Sequence, residues 1–357
     1  MIPYGRQSVD DDDIEAVVQV LKGDCLTCGP AVDEFEEALA AAVEARFAVA
    51  FANGTAALHA AAAVSGLGPG DVVATSPLSF AASAACATYV GATPCYVDID
   101  PDTLNLDPRA LPGNADALIA VHYAGLPVDL RRLSFRPRVL VEDAAQALGA
   151  RTADGPVGNC ARSDMTTFSF HPVKSITTAE GGAVTTNDPD LDEALRRFRH
   201  HGLRPAPAEG AGATRIDEPG FNYRLSDVHA ALGTSQLRKL DRFIGRRNQL
   251  ADRYRSLLAE ADVILPPEPT EGSHARHLFP VRVEERDRVF DHLRNRGIGV
   301  QVHHVPIYHH PAYAAGADPD AYPSTEAAYG HLLSLPLYVD LNEAEQDHVV
   351  ATLKEAL

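Results

Sequence analysis

Lys174 lies in the run Ser169 to Val184, SFHPVKSITTAEGGAV, between one apolar segment and a Gly-Gly turn that leads into another. A lysine amine attacks a carbonyl carbon only when deprotonated, so a chemically active lysine must be desolvated or set beside another cation before it can form a Schiff base. The flanks offer that setting. Met165 to Phe170 and Ala183 to Thr186 read as buried strands that would hold the loop on a rigid frame. A solvated loop lysine is the ordinary alternative, and groups elsewhere in the chain must decide between the two.

Three further sites carry suitable groups. Asn53, Gly54 and Thr55 follow an apolar run, Phe47 to Phe51, and precede a helical pattern from Ala56, so free N–H groups and a helix dipole would suit a phosphate. A plain strand-to-helix turn would look the same. Asp143 ends VLVED, where a carboxylate can pair with a ring nitrogen and keep it protonated, although Asp143 and Gln146 also have capping-box spacing. Phe80 offers a flat face for a ring, or simply a core aromatic. Taken together these are a phosphate cradle, an aromatic face, a carboxylate for a pyridine nitrogen and a Schiff-base lysine, the set that pyridoxal phosphate requires. Neither GxxxxGK[ST] nor GxGxxG occurs, so the nucleoside triphosphate loop and the dinucleotide fingerprint are absent.

These groups need a scaffold that collects them. Up to about residue 240, short apolar runs alternate with helical patterns, the form of an α/β fold with a mostly parallel sheet whose functional groups gather at the carboxyl ends of strands. Strands are expected at Phe47–Phe51, Val72–Thr75, Cys95–Asp98, Leu118–His122, Val139–Glu142, Met165–Phe170 and Ala183–Thr186, and helices at Ile14–Leu21 and Phe35–Val43. Asp10 to Asp13 read as carboxylates at a helix N-terminus. A long helix at Ser226–Leu240 would close a large domain, residues 1–245. A smaller C-terminal α/β domain, residues 246–357, would hold strands at Leu278–Val283 and Gly299–His303, a helix at Arg286–Arg296 and a last helix from Ala344.

The 357 residues carry a formal charge of -18 with no cluster of Lys or Arg, which argues against nucleic acid or anionic membrane as partner. No stretch resembles a membrane span, and acidic residues from Asp10 replace the apolar core of a signal peptide, so a cytoplasmic location is expected. Five scattered cysteines do not make a disulfide framework. Cys25 and Cys28 form a lone CxxC, and the His pairs at 200/201, 303/304 and 309/310 lack metal-ligand spacing, so no metal site is expected.

Several segments also resemble the DegT/StrS group of sugar aminotransferases over essentially the whole chain: LTCGP (26–30), FANGTAALHAA (51–61), VEDAAQA ending at Ala147, SFHPVKSITTAEGGAV and GFNYRLSDVHAALGTSQL from Gly220. The resemblance implies a fold type I pyridoxal-phosphate transferase. It implies that the Thr55 and Ala56 amides and Ser169 bind the phosphate, Phe80 stacks on the ring, Asp143 bonds its nitrogen, Gln146 lies near its phenolic oxygen and Lys174 forms the Schiff base. Asn222 would reach the cofactor phosphate of a neighbouring subunit, giving a homodimer with shared active sites. His171, Arg224, His303 and Tyr308, with Thr27 of LTCGP, are candidates for sugar or diphosphate contact, though loop positions of this kind are often ordinary surface.

Within the group, YAG (123–125) and QVHHVPIYHHPAY (301–313) are most similar to the pseudaminic acid branch. That branch aminates the C4 ketone of a UDP-linked 4-keto-6-deoxy sugar with L-glutamate. His304 stands where tyrosine is expected and His122 where an acid is expected, both at plausible sugar contacts. The alternatives are an aminotransferase for another UDP- or TDP-linked keto sugar, or a non-catalytic pyridoxal-phosphate regulator.

Overall fold

The computed structural model describes residues 1–314 and 316–357. The chain opens with helices α1 (Asp11–Lys22) and α2 (Pro30–Ala42). Asp10 and Asp13 cap α1 reciprocally, so the acidic run is a helix start, as its composition suggested. Five elements then alternate: β1 (Phe47–Phe51), α3 (Gly54–Val64), β2 (Val72–Thr75), α4 (Ala82–Tyr89) and β3 (Thr93–Tyr96). Strands β4 (Ala117–Val121) and β5 (Val139–Asp143) follow, then a small ribbon of β6 (Arg151–Thr152) and β7 (Gly155–Pro156). The lysine run is the hairpin of β8 (Met165–Ser169) and β9 (Gly182–Thr186).

The central sheet has the order β1-β9-β8-β5-β4-β2-β3. Only β9 runs against its neighbours, β8 and β1; the other pairs are parallel. Alternate residues feed opposite faces: Val49, Val73, Ile119 and Val141 pack under α3 and α4, whereas Ala74, Leu118 and Leu140 join a core on the other side. This alternation sends the adjacent carboxylates Glu142 and Asp143 to opposite faces.

Beyond the sheet come α5 (Pro189–Arg199), a hairpin of β10 (Leu203–Pro205) and β11 (Thr214–Ile216), then α6 (Asp227–Leu237) and α7 (Leu240–Leu258). The single helix expected over 226–240 is thus two. A turn at Arg238 and Lys239 separates them, and the Lys239 ammonium pairs with Asp10 and Asp13 of the first helix start. The expected division at 245/246 falls inside α7, whose Leu240 and Phe243 join the core of α2 and α6 while Leu250, Tyr254 and Leu258 join a separate C-terminal core. That core is completed by β12 (Phe279–Arg282), α8 (Arg286–Asn295), β13 (Leu332–Leu335) and α10 (Glu343–Ala356), while α9 (Pro323–His331) packs Ala328 into a separate cluster with Leu78 and Tyr123.

Gly299–His303, expected as a strand, is not one. Only Gln301 bridges Ser334, because neighbouring backbone groups are used elsewhere: Gly299 N–H donates to the Ile2 carbonyl at 2.6 Å, and the His303 carbonyl accepts from Tyr123 Oη at 2.5 Å. Among the described residues no helix is long and apolar enough to cross a membrane.

Candidate active site

The ends of β1, β5 and β8 lie along one edge of the sheet. Gly182 pairs with both Phe51 and Ser169, which brings Ser169 beside the start of α3. Two glycines make that approach possible. A Cβ on Gly182 would stand 2.5 Å from Asn53 backbone atoms, and one on Gly54 would stand 2.9 Å from Ser169 Cβ. Thr55 is the second residue of α3, and Ser169 stands beside that helix N-terminus. The Ala56 amide differs from expectation: it donates to Asn53 Oδ1 at 2.8 Å, an N-cap bond that an incoming phosphate would have to displace.

The lysine loop is closed by its own threonines. Thr178 N–H and Thr177 Oγ1 both donate to the Phe170 carbonyl, at 3.0 and 3.1 Å, and Phe170 N–H donates to the Gly181 carbonyl at 2.9 Å. Lys174 N–H donates to the carbonyl of exposed His171 at 2.9 Å. Of the four lysines, Lys22 and Lys354 are exposed and Lys239 is ion-paired, while Lys174 is half-buried and makes no ion pair among the described residues. Burial pushes its pKa down to about 8 against the opposing pull of Asp143.

Asp143 is 4 % exposed. Ser83 Oγ donates to its Oδ2 at 2.7 Å, Ala145 N–H donates to its Oδ1 at 3.1 Å, and Ser79 bonds Ser83 at 2.9 Å. No helix follows, so the capping-box reading of Asp143 and Gln146 fails. Instead Gln146 Oε1 accepts from Ala124 N–H at 2.7 Å and its amide faces His304 Nε2 at 3.4 Å. Phe80 precedes α4, is 64 % exposed, and lies 6.3 Å from the His304 ring. An exposed aromatic face beside buried polar groups suits a flat ligand.

His303 and His304 diverge. His303 Nδ1 bonds Ser334 Oγ at 2.9 Å and its ring packs 5.2 Å from Tyr4, while burial and the nearby Lys174 push its pKa down to about 4. Burial, with the adjacent His303 and Lys174, holds His304 far below the ordinary histidine range as well. Both imidazoles are therefore neutral and can accept or donate without adding charge.

Two expectations need correction. Tyr308 is 3 % exposed, its hydroxyl donates to Glu326 at 2.7 Å and its ring stacks on Tyr322, so it belongs to an aromatic core instead of a sugar pocket. His122 is fully buried between Glu142 Oε2, at 2.9 Å, and Val128 N–H, at 3.1 Å. Burial raises the Glu142 pKa, but bonds from His122, Ser163 and Thr166 outweigh it and leave the carboxyl below its usual range. His122 is structural because its strand parity carries it, like Glu142, away from the Asp143 face.

Thr27, Asn222 and Arg224 form a second cluster. Thr27 is exposed and bridges Ser226, and Asp227 accepts from Gly29 and Ala31 N–H groups at 2.8 and 3.0 Å, fixing LTCGP against the start of α6. Asn222 is exposed and bridges His200. Arg224 Nη1 donates to His200 Nδ1 at 2.8 Å, and its buried Nε has no acceptor. No hydrogen bond joins this cluster to Lys174 among the described residues.

Ser83, His277 and Arg247 were not anticipated. Ser79 and Ser83 are one helical turn apart, a signal present in the sequence; nothing local marks the other two. A surface cleft of about 170 Å³ lined by Asn105, Asp129, Glu142 and Asp154 contains none of the expected site residues. Among the described residues no three His, Cys, Asp or Glu side chains are grouped to hold a metal.

The residues fit pyridoxal phosphate: a glycine-lined helix start for the phosphate, an exposed aromatic face, a buried, hydrogen-bonded aspartate and a half-buried lysine of lowered pKa. Known proteins agree. A relative, SpsC from Bacillus subtilis, a spore coat polysaccharide biosynthesis protein, is 33% identical over 99% of this chain and 96% of its own. Spr1654 of Streptococcus pneumoniae, assigned as a sugar aminotransferase and solved in its PMP form, superposes with a TM-score of 0.93 at 29% identity, covering 100% of this chain and 99% of that one. PseC of Helicobacter pylori, an aminotransferase of pseudoaminic acid biosynthesis, gives 0.92 at 29% identity, covering 99% and 98%. Residues 7–354 match the model of one family, and the chain belongs to it: the DegT/DnrJ/EryC1/StrS aminotransferases, pyridoxal-phosphate-dependent enzymes that act on sugars.

Proposed function

We propose that this enzyme transfers the amino group of L-glutamate to the C4 ketone of a UDP-linked 4-keto-6-deoxy-N-acetylhexose, as in pseudaminic acid or a related amino-sugar pathway. The observation that carries the reading is the Lys174 amine, its pKa lowered by burial, set on the same sheet edge as Asp143 and a glycine-lined helix start. Pyridoxal phosphate, when bound, supplies an electron sink through which an amino group passes between an amino acid and a ketone.

Each residue then has a task. The Gly54 and Thr55 amides and Ser169 Oγ bind the phosphate, Ala56 joining them if Asn53 turns away. Phe80 covers one ring face, and Asp143, oriented by Ser83, holds a proton on the ring nitrogen. Gln146, oriented by Ala124 N–H, borders the ring's phenolic edge. Lys174 Nζ, with a pKa of about 8, takes and returns the proton between glutamate or sugar carbon and cofactor carbon near neutral pH. His303, His304 and His171 line the acceptor side. Thr27, Asn222 and Arg224 lie at the surface as groups serving a second subunit's site would, so we propose a homodimer with shared active sites.

The test is a panel of UDP- and TDP-linked keto sugars with glutamate as donor, the amine position of each product found by NMR. A UDP sugar aminated at C4 is expected. Amination at C3, or turnover confined to TDP sugars, rejects this assignment in favour of another nucleotide-sugar aminotransferase.

A further inference from the structure

Arg247 is 1 % exposed on α7, yet no ion pair to its guanidinium is formed among the described residues. A buried cation without a counter-charge is costly, and an apolar side chain of similar volume would often serve stability as well. Its partners are all backbone carbonyls. Nη1 donates to Leu337 at 2.9 Å and to Arg276 and His277 at 3.4 Å each, and Nη2 reaches the Lys174 carbonyl at 3.5 Å. Its Nε is buried without an acceptor. One planar fork therefore ties three chain segments together, and one of them is the lysine loop.

We infer that Arg247 is a positioning residue for Lys174, holding the backbone of the lysine and that of His277 in fixed relation at the seam between the central sheet and the C-terminal core. Both backbone groups of Lys174 are then committed, the N–H to His171 and the carbonyl to Arg247, which leaves only the side chain free to move. His277 is held on both sides too: its N–H donates to the Ala124 carbonyl at 3.0 Å and its carbonyl accepts from Arg247. Its ring is 6 % exposed with Nδ1 buried and unpartnered, and burial followed by the Lys174 charge keeps it neutral. The role is geometric. The depressed Lys174 pKa has burial as its cause and Asp143 as the opposing influence, with no part for Arg247.

This inference rests on the transaminase reading, and the experiment separates the two. Wild type, Arg247→Met and Arg247→Lys are loaded with pyridoxal phosphate and compared for melting temperature, visible circular dichroism of the bound cofactor, and kcat and KM for glutamate in the spectral half-reaction. If wild type does not react with glutamate, the functional reading fails on its own. If it does, both variants are expected to melt within a few degrees of wild type and keep KM within about threefold. Their kcat should fall about 10- to 100-fold, the cost of misplacing a reacting group, and the cofactor dichroism should fall by half or more. Wild-type kcat and dichroism in Arg247→Met overturn the inference. So does full rescue by Arg247→Lys, which would make the role one of charge. If Arg247→Met does not fold, Arg247→Lys alone decides by the same readouts.

Discussion

The Lys174 site and the Asn222–Arg224 patch are both expected to serve one reaction, yet they are built in opposite ways. Around Lys174 the polar partners are buried and tied, Asp143 to Ser83, Gln146 to Ala124 and the loop to Phe170, while Lys174 itself is half-buried and Phe80 exposed. Around Asn222 the groups are exposed or half-buried, and Arg224 keeps a buried Nε with no acceptor. A preorganised constellation works without reorganisation, because its donors are already aimed when charge develops. A patch left open in one chain gains its function from what docks against it. In the homodimer we propose, the first region supplies the reacting groups of one site and the second completes the site of the neighbouring subunit.

The comparison breaks most visibly at Lys174. Lys174→Ala should lower turnover at least about a thousandfold while leaving the fold intact, as measured by steady-state kinetics and circular dichroism; activity within tenfold of wild type would remove the lysine from the mechanism. Arg224→Ala should reduce kcat/KM about 10- to 100-fold, because alanine cannot replace the charge-assisted hydrogen bond of a guanidinium to the substrate. Lys174→Ala and Arg224→Ala, unfolded and refolded together, should then show more activity than the same amount of Arg224→Ala refolded alone, since each supplies what the other lacks. Absence of complementation would place Arg224 in its own chain's site.

Glu142→Ala sharpens the contrast across one peptide bond. It should destabilise the protein by about 1–3 kcal/mol by leaving buried His122 unpartnered, seen in urea unfolding, with kcat of the folded fraction nearly unchanged. The smallest effect is a pH shift. Below pH about 8 Lys174 holds its proton folded or unfolded; between about 8 and the ordinary 10.5 only the unfolded chain does, so the penalty for burying the lysine is relieved as pH rises through that window. Acylation of Lys174 in the cofactor-free protein should be half-maximal near pH 8, read by peptide mass spectrometry.

The sheet was legible because buried parallel strands are short apolar runs: Phe47–Phe51 and Val72–Thr75 fall where the sequence pattern puts them. The edge strand β3 slipped two residues, since Asp98 is withdrawn to cap α9 through Ser324 and Thr325 N–H groups at 3.0 and 2.9 Å. The loop that carries Lys174 was legible from its flanks. Tyr308 and His122 were not, because a loop position does not say whether a ring faces a cavity or a core, and only strand parity separates Glu142 from Asp143. Arg247 and His277 were invisible because long-range packing alone brings α7 and the 276–277 segment to the lysine.

The most direct test of the central claim is borohydride reduction of the cofactor-loaded enzyme, followed by digestion and mass spectrometry, in a chain with only four lysines. A pyridoxyl mass on the Lys174 peptide that disappears when L-glutamate is added before reduction is the predicted result; a label on Lys22, Lys239 or Lys354, or one that glutamate does not remove, would contradict it.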